Sequence, residues 1–294
     1  MSAPTLVVQT PAKLNWVLEV LGKRPDGFHE LALVFQTLDL WDELAFYKKE
    51  GGLELEVLES PEPLAADDSN LILRAARLFF EAVELPAGLK VRLKKKIPMA
   101  AGLGGGSSDA AATLWALNRI YEADLPLARL RDLAAQLGSD VPFFLTGGAA
   151  LGSGRGEKIE PWEGAAPFWV VLAKPEEGLS TPKVYQSGRA AFSDGAKAKA
   201  LKAVLQQGNP ADLAGRLFNG LEPAAFYLLP RVQALKNSLL DAGALGALVS
   251  GSGPTVFALA RDEEGARALA DKVKTPGVQV FTARTVPGGP RILP

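Results

Sequence analysis

The chain has 294 residues, with 32 Lys and Arg against 33 Asp and Glu and 48% hydrophobic residues. This near-neutral balance argues against a general electrostatic grip on nucleic acid or an anionic membrane. The absence of cysteine and the single histidine, His29, exclude disulfides, thiolate or multi-His metal sites, a Cys nucleophile and any acyl-transfer triad without His29.

In chain order, the opening MSAPTLVVQTPAKLNW lacks a basic start followed by an apolar run, so no secretory leader is expected. Residues 14–21 and 30–38 read as two strands of a hairpin around Arg24-Pro25-Asp26-Gly27, with Phe28 and His29 opening the second. Residues 53–58 alternate apolar and acidic, a half-buried strand. Residues 61–68 form a loop of Pro, Ala and acids, and Ser69-Asn70 is placed to cap a helix over 71–83. Residues 89–97 alternate again, Val91, Leu93 and Ile97 on one face and Arg92, Lys94 and Lys96 on the other, until Pro98 ends the strand. After a Gly/Ser loop, Ala110, Leu114, Leu117 and Tyr121 make one buried stripe of a helix over 108–121. A second helix over 127–137 closes at Gly138.

Further on, 168–173 reads as an apolar strand, and 196–207, 223–242 and 263–274 as helices, the middle one broken at Pro230. Residues 247–260 are strand on both sides of Ser250-Gly251-Ser252-Gly253-Pro254, and 279–285 is a last strand. The most apolar stretch, 165–173, is far shorter than the ~20 residues that span a bilayer, so a cytoplasmic protein is expected. Strands come in local pairs rather than strict βαβ alternation, which gives an α+β class. At ~150 residues per domain, two domains or lobes are expected. The border is placed within 151–166, giving lobes over 1–160 and 161–294.

The strongest chemical signal lies between a strand and a helix: Pro98, Met99, Ala100, Ala101, Gly102, Leu103, Gly104, Gly105, Gly106, Ser107, Ser108 and Asp109. Four glycines there allow positive φ and close backbone approach, and the following helix offers free N–H groups and a positive dipole end to a phosphate. Ser107 and Ser108 add hydroxyls for phosphate or magnesium, or serve as ordinary N-caps. No lysine follows as in a Walker A loop, the dinucleotide fingerprint fails at its last glycine, and no His-Arg-Asp or Asp-Phe-Gly occurs. The loop is a phosphate cradle outside those three families.

Lys13 and Asn15 share one strand face, either a solvated edge or a site. Asp140, before Val141-Pro142, is positioned to cap a helix and equally to take a hydroxyl proton. His29 is a surface residue or a ligand reader, and Phe28 a core residue or an aromatic face for a base.

Together these motifs resemble the GHMP kinase superfamily, which includes galactokinase and homoserine, mevalonate and phosphomevalonate kinases. Pro11-Ala-Lys13-Leu-Asn15, Pro98–Asp109 and 249–254 look like its three motifs, in order. Arg24-Pro-Asp-Gly-Phe-His29, Phe35-Gln-Thr-Leu-Asp39, Asp68-Ser-Asn-Leu71, Gly138–Phe144, Thr181-Pro182 and Asn219-Gly-Leu-Glu-Pro223 narrow it to the branch acting on a cytidyl diphosphate. The resemblance implies a two-lobed α+β GHMP kinase fold with its active site in the cleft between the lobes. It implies ATP-dependent phosphorylation of the 2-hydroxyl of a cytidyl-diphosphate-linked methylerythritol, with Mg2+, in non-mevalonate isoprenoid precursor synthesis.

By the same resemblance Asp140 is the catalytic base and Lys13 its partner. Asn15 and Thr181 lie near the substrate, His29 reads the cytosine edge, and Phe28 and Tyr185 stack on the base. Asn70, Lys95 and Met99 surround adenine. Phe28 replaces the family's usual Tyr, Tyr185 an often-found Phe, and Asn219-Gly220 the usual Asn-Asp. The magnesium ligands are left unassigned, and a monomer or weak homodimer that binds neither nucleic acid nor membrane is expected. Two alternatives stay open: a sister kinase with a homoserine-, mevalonate- or sugar-like acceptor, and an inactive nucleotide-binding regulator.

Overall fold

The computed structural model describes residues 3–293, so Met1 and Ser2 of the opening segment and Pro294 of the expected second lobe lie outside the description. The first half runs β1 (Leu6–Lys23), β2 (His29–Lys48), β3 (Gly52–Glu59), α1 (Leu71–Ala82), β4 (Gly88–Lys94), α2 (Gly105–Ile120), α3 (Leu127–Leu137), α4 (Val141–Phe144), β5 (Ala149–Gly154) and β6 (Lys158–Trp162). The second half runs β7 (Trp169–Pro175), α5 (Thr181–Gln186), α6 (Ala196–Gln207), α7 (Pro210–Ala214), β8 (Phe218–Asn219) and α8 (Glu222–Leu228). It continues with α9 (Pro230–Asp241), β9 (Gly246–Val249), β10 (Val256–Leu259), α10 (Glu263–Val273), β11 (Val278–Arg284) and β12 (Arg291–Ile292). The class is α+β, as the local strand pairing implies.

Two sheets stack between two layers of helices. The first orders its strands β12-β1-β2-β4-β3, with β5 also on β2, β6 on β5, and β8 parallel to β1. The second is antiparallel, β11-β7-β10-β9. On the outer face of the first sheet, Phe35 and Phe46 pack with Phe79, Leu117 and Phe143 of the helices. Between the sheets lie Trp16, Phe168 and Phe257, with Leu201 and Leu205 of α6. Behind the second sheet, Val171 and Val256 meet Leu239 of α9 and Leu269 of α10.

Several differences from the sequence reading have physical causes. Strands β1 and β2 are much longer than 14–21 and 30–38, because residues 10–20 of β1 are buried throughout. A strand covered on both faces shows no alternation. Pro11, which cannot donate to a ladder, sits at a register shift between Pro11 and Ala12. The glycine-rich border at 151–166 holds the β5–β6 hairpin, which extends the first sheet, and β8 and β12 of the second half return to β1. The 223–242 helix does break at Pro230, which opens α9. Among the described residues, no helix is long and apolar enough to cross a membrane.

Candidate active site

The glycine loop ends where α2 begins. Its N-cap is Gly104, left-handed at φ 73°, and no side chain caps the helix. The leading N–H groups, from Gly105 to Ser107, therefore face the loop with the helix dipole behind them, the arrangement that receives phosphate. Positive φ is confined to Gly102 and Gly104 among the four glycines, whereas Gly105 and Gly106 already belong to the helix. What keeps Gly105 small is space, since a Cβ there would stand 2.7 Å from Lys95 Nζ. Ser107 lines the cavity. Ser108 turns away from it: its Oγ donates to Pro11 O at 2.6 Å and shares a bond with Thr10 Oγ1 at 2.6 Å. Its hydroxyl rivets α2 to β1 instead of meeting a ligand.

Lys13 and Asn15 come from the buried run of β1, so the solvated-edge alternative is excluded; Lys13 is 3% exposed. The Lys13 N–H donates to Leu103 O at 2.9 Å, fixing strand to loop. Its Nζ donates to Asn15 Oδ1 at 2.8 Å and lies 3.3 Å from Asp140 Oδ2. Gly104 and Gly251 confine it, for a Cβ at either would come within 3.0 Å of Lys13 Cγ or 3.2 Å of Nζ. Asp140 occupies the N-cap position of α4 but makes no capping bond. The expected cap is absent because the carboxylate turns to Lys13, with 32% of the side chain exposed to the cavity. Asn15 Nδ2 is buried with no partner.

The loop after β9 closes over this pair. Asn219 Nδ2 donates to Val249 O at 2.7 Å and Gly251 O at 2.8 Å, and Ser250 Oγ donates to Gly102 O at 3.0 Å. Thr181 Oγ1 and Ser252 Oγ lie 2.7 Å apart. Residue 220 has room only for glycine, since a Cβ would meet Ala191 O at 2.6 Å.

At one end of the cavity His29 stacks on Tyr185, centroids 5.0 Å apart and planes at 26°. Burial, aided by the nearby Asp140 charge, raises the Tyr185 phenol above its ordinary pKa. Phe28 is 51% exposed, which excludes the core reading, and the Arg155 guanidinium lies 4.7 Å over its ring. Arg155, in the β5–β6 turn, escaped the sequence reading; its signal is an arginine between two glycines, Gly154 and Gly156.

At the other end Asn70 caps α1, its Oδ1 accepting from Ile72 N at 3.0 Å and its Nδ2 donating to Ala65 O at 2.7 Å. Lys95 is buried between two carboxylates, paired with Asp42 and with Asp109 Oδ2 at 2.8 Å. Burial pushes the Asp109 carboxyl up to about 8, with Asp42 adding to the rise and Lys95 opposing it. The native protein therefore keeps a proton that the unfolded chain releases near the ordinary carboxylate range. Between that range and about 8, stability falls as pH rises. Asp109→Asn removes the titrating group, so its melting temperature should fall less than that of the wild type across this window in a thermal-melt series.

The expected catalytic, ATP-binding and substrate-binding residues line one cavity of about 810 Å³, except Leu103 and Ser108. Leu103 packs into the core between the sheets. The cavity takes walls from both halves of the chain, with Arg155, Gly251 and Ser252 joining the expected set.

Comparison with known proteins agrees with this geometry. Residues 70–148 match the GHMP kinases N terminal domain, and 198–279 the GHMP kinases C terminal model. A 4-diphosphocytidyl-2-C-methyl-D-erythritol kinase of Pelotomaculum thermopropionicum is 46% identical over 93% of this chain and 96% of its own length. One from Exiguobacterium sibiricum is 38% identical over 95% and 98%. The crystal structure of a 4-(cytidine 5'-diphospho)-2C-methyl-D-erythritol kinase superposes with a TM-score of 0.80 at 34% identity, covering 97% of this chain and 100% of that one. A homoserine kinase from Cytophaga hutchinsonii shares the fold, with TM-score 0.76 at 20% identity over 98% and 97%. The chain therefore belongs to the GHMP kinases, in the family of the 4-diphosphocytidyl-2-C-methyl-D-erythritol kinases.

Proposed function

We propose that the protein, in the cytoplasm, transfers the γ-phosphoryl group of ATP to the 2-hydroxyl of 4-diphosphocytidyl-2-C-methyl-D-erythritol. The carrying observation is the Lys13–Asp140 pair, 3.3 Å apart, in the same cavity as the uncapped start of α2. ATP lies along Asn70, Met99 and the glycine loop on the lobe of residues 1–160, and the lobe of residues 161–294 closes the acceptor side with Thr181 and Tyr185. Phosphoryl transfer needs positioning, a proton acceptor and charge stabilisation rather than a covalent intermediate. Asp140 accepts the proton of the 2-hydroxyl as its oxygen bonds to the γ-phosphorus and the bond to the ADP oxygen breaks. Lys13 holds that carboxylate in place and favours the negative charge on the transferring group. Asn15, with its free Nδ2, holds an acceptor oxygen.

Magnesium belongs to the same reading. Among the described residues no three His, Cys, Asp or Glu side chains form a cage. That suits an ion held mainly by substrate phosphates and water, with one or two protein oxygens. The Ser107 hydroxyl would hold it, and when bound it offsets phosphate charge.

The direct test is ATP consumption with a panel of acceptors: the cytidyl compound, free methylerythritol, homoserine, mevalonate and sugars. Strong preference for the cytidyl compound supports the reading; equal turnover of free methylerythritol removes the base pocket from it. His29→Ala should raise KM for the cytidyl substrate and narrow its advantage over the uridyl analogue, because a polar mismatch at the base edge discriminates strongly. Phe28→Ala should weaken both analogues alike, by ~1–3 kcal/mol, since stacking does not choose between bases. Comparing kcat/KM for the two analogues checks both statements.

A further inference from the structure

The mechanism leaves two buried lysines unused, Lys95, which pairs with Asp42 and Asp109, and Lys174. Lys174, on β7 of the second sheet, is 1% exposed, and an ammonium so placed needs a partner. Its Nζ lies 3.0 Å from Oε1 of Glu62, 112 residues away in the loop between β3 and α1. That loop supplies Leu64, Ala65, Ser69 and Asn70 to the cavity wall.

The loop is otherwise bonded largely to itself. Ser60 Oγ donates to Glu62 O at 2.6 Å, Ser69 N and Oγ donate to Asp67 Oδ1, and Asn70 Nδ2 donates to Ala65 O. These bonds shape the loop without fixing its distance from the second sheet. Leu64 packs on the core of the first sheet, and the Glu62–Lys174 pair ties the loop across to the second.

We propose that Glu62 and Lys174 form a clasp that sets the width of the nucleotide end of the cavity. Both are positioning residues; neither lines the cavity. The clasp rests on the reading that ATP occupies the Asn70 end. Moving the loop outward takes the buried Lys174 ammonium's 3.0 Å partner away and leaves it only the more distant charge of Glu177, so the wall stays in place while the ion pair is made. Phe28, His29 and Tyr185 belong to other elements, so acceptor binding is independent of the clasp.

The test uses Glu62→Gln and Lys174→Met in the full chain; the second fills the buried site with an apolar side chain of similar volume and preserves folding. The dissociation constant for ATP by calorimetric titration and KM for ATP should rise ~5–10-fold in both variants. The acceptor KM and kcat at saturating ATP should stay close to wild type, and hydrogen exchange across residues 60–70 should quicken. Unchanged ATP affinity in both variants overturns the clasp, as does an equal loss of ATP and acceptor affinity, which marks general loosening. If the wild type itself binds no ATP, the functional reading falls and the clasp's nucleotide role falls with it. A wild type that phosphorylates the cytidyl acceptor beside unaltered variants leaves that reading standing and removes the clasp alone.

Discussion

Asp140→Asn is expected to lower kcat at least ~100-fold while ATP still binds, the low end for removing a positioned proton acceptor. A hundredfold corresponds to ~2.7 kcal/mol of transition-state stabilisation, an effect a single misdirected proton can carry. The asparagine keeps the shape of the side chain and a contact to Lys13 but accepts no proton at the pH of the assay. A helix-capping role predicts a different pattern, kcat and stability both close to wild type, because asparagine caps about as well as aspartate. It is already disfavoured, because Asp140 makes no capping bond. Steady-state kinetics at saturating substrates, paired with calorimetric titration of ATP, decides between the two. An unchanged kcat would remove Asp140 from the chemistry.

Gly102→Ala should lower kcat/KM at least ~100-fold, because misplacing reacting groups by about an ångström has that cost. Residue 102 is left-handed at φ 74°, and a Cβ there would stand 2.1 Å from Ser250 O and 3.2 Å from Gly253 N. Both neighbours are backbone, so neither can rotate aside. The collision pries apart the glycine loop and the loop after β9, which Ser250 Oγ holds together through Gly102 O. Affinity for ATP and for the acceptor should therefore fall together, unlike the one-sided loss expected of the clasp variants. Gly106→Ala is the packing control: its Cβ meets only Leu71 Cδ1 at 3.5 Å, and its thermal midpoint should match wild type. Wild-type kcat/KM in Gly102→Ala would mean that the two loops do not need to touch.

The glycine loop, the Asn70 cap and the strand–loop–helix unit were legible because their signals are local: spacing, caps and breakers within about a dozen residues. Lys95 was half legible. It shares parity with Val91, Leu93 and Ile97, so alternation puts a charge on the apolar face, but its partners Asp42 and Asp109 lie 53 and 14 residues away. Nothing in a single sequence pairs them. Ser108 was misread for a related reason, since Ser107 and Ser108 are alike in type and a helical turn sends one to the cavity and the other to Thr10 and Pro11. Asp140 reads equally as a cap and as a base in the sequence, and only the position of Lys13 in space separates the two. The clasp was invisible, because Glu62 sits in a loop of proline, alanine and acids that reads as solvated.

The aromatic packing between the sheets bears on how substrates enter. Trp16 of β1 meets Phe168, beside β7, and Phe257 of β10 edge-on, with centroids 5.7 and 5.4 Å apart. Close-packed interiors of this kind resist sliding. The two halves of the chain are therefore expected to unfold as one cooperative body, which leaves the admission of substrates to the short loops at the rim.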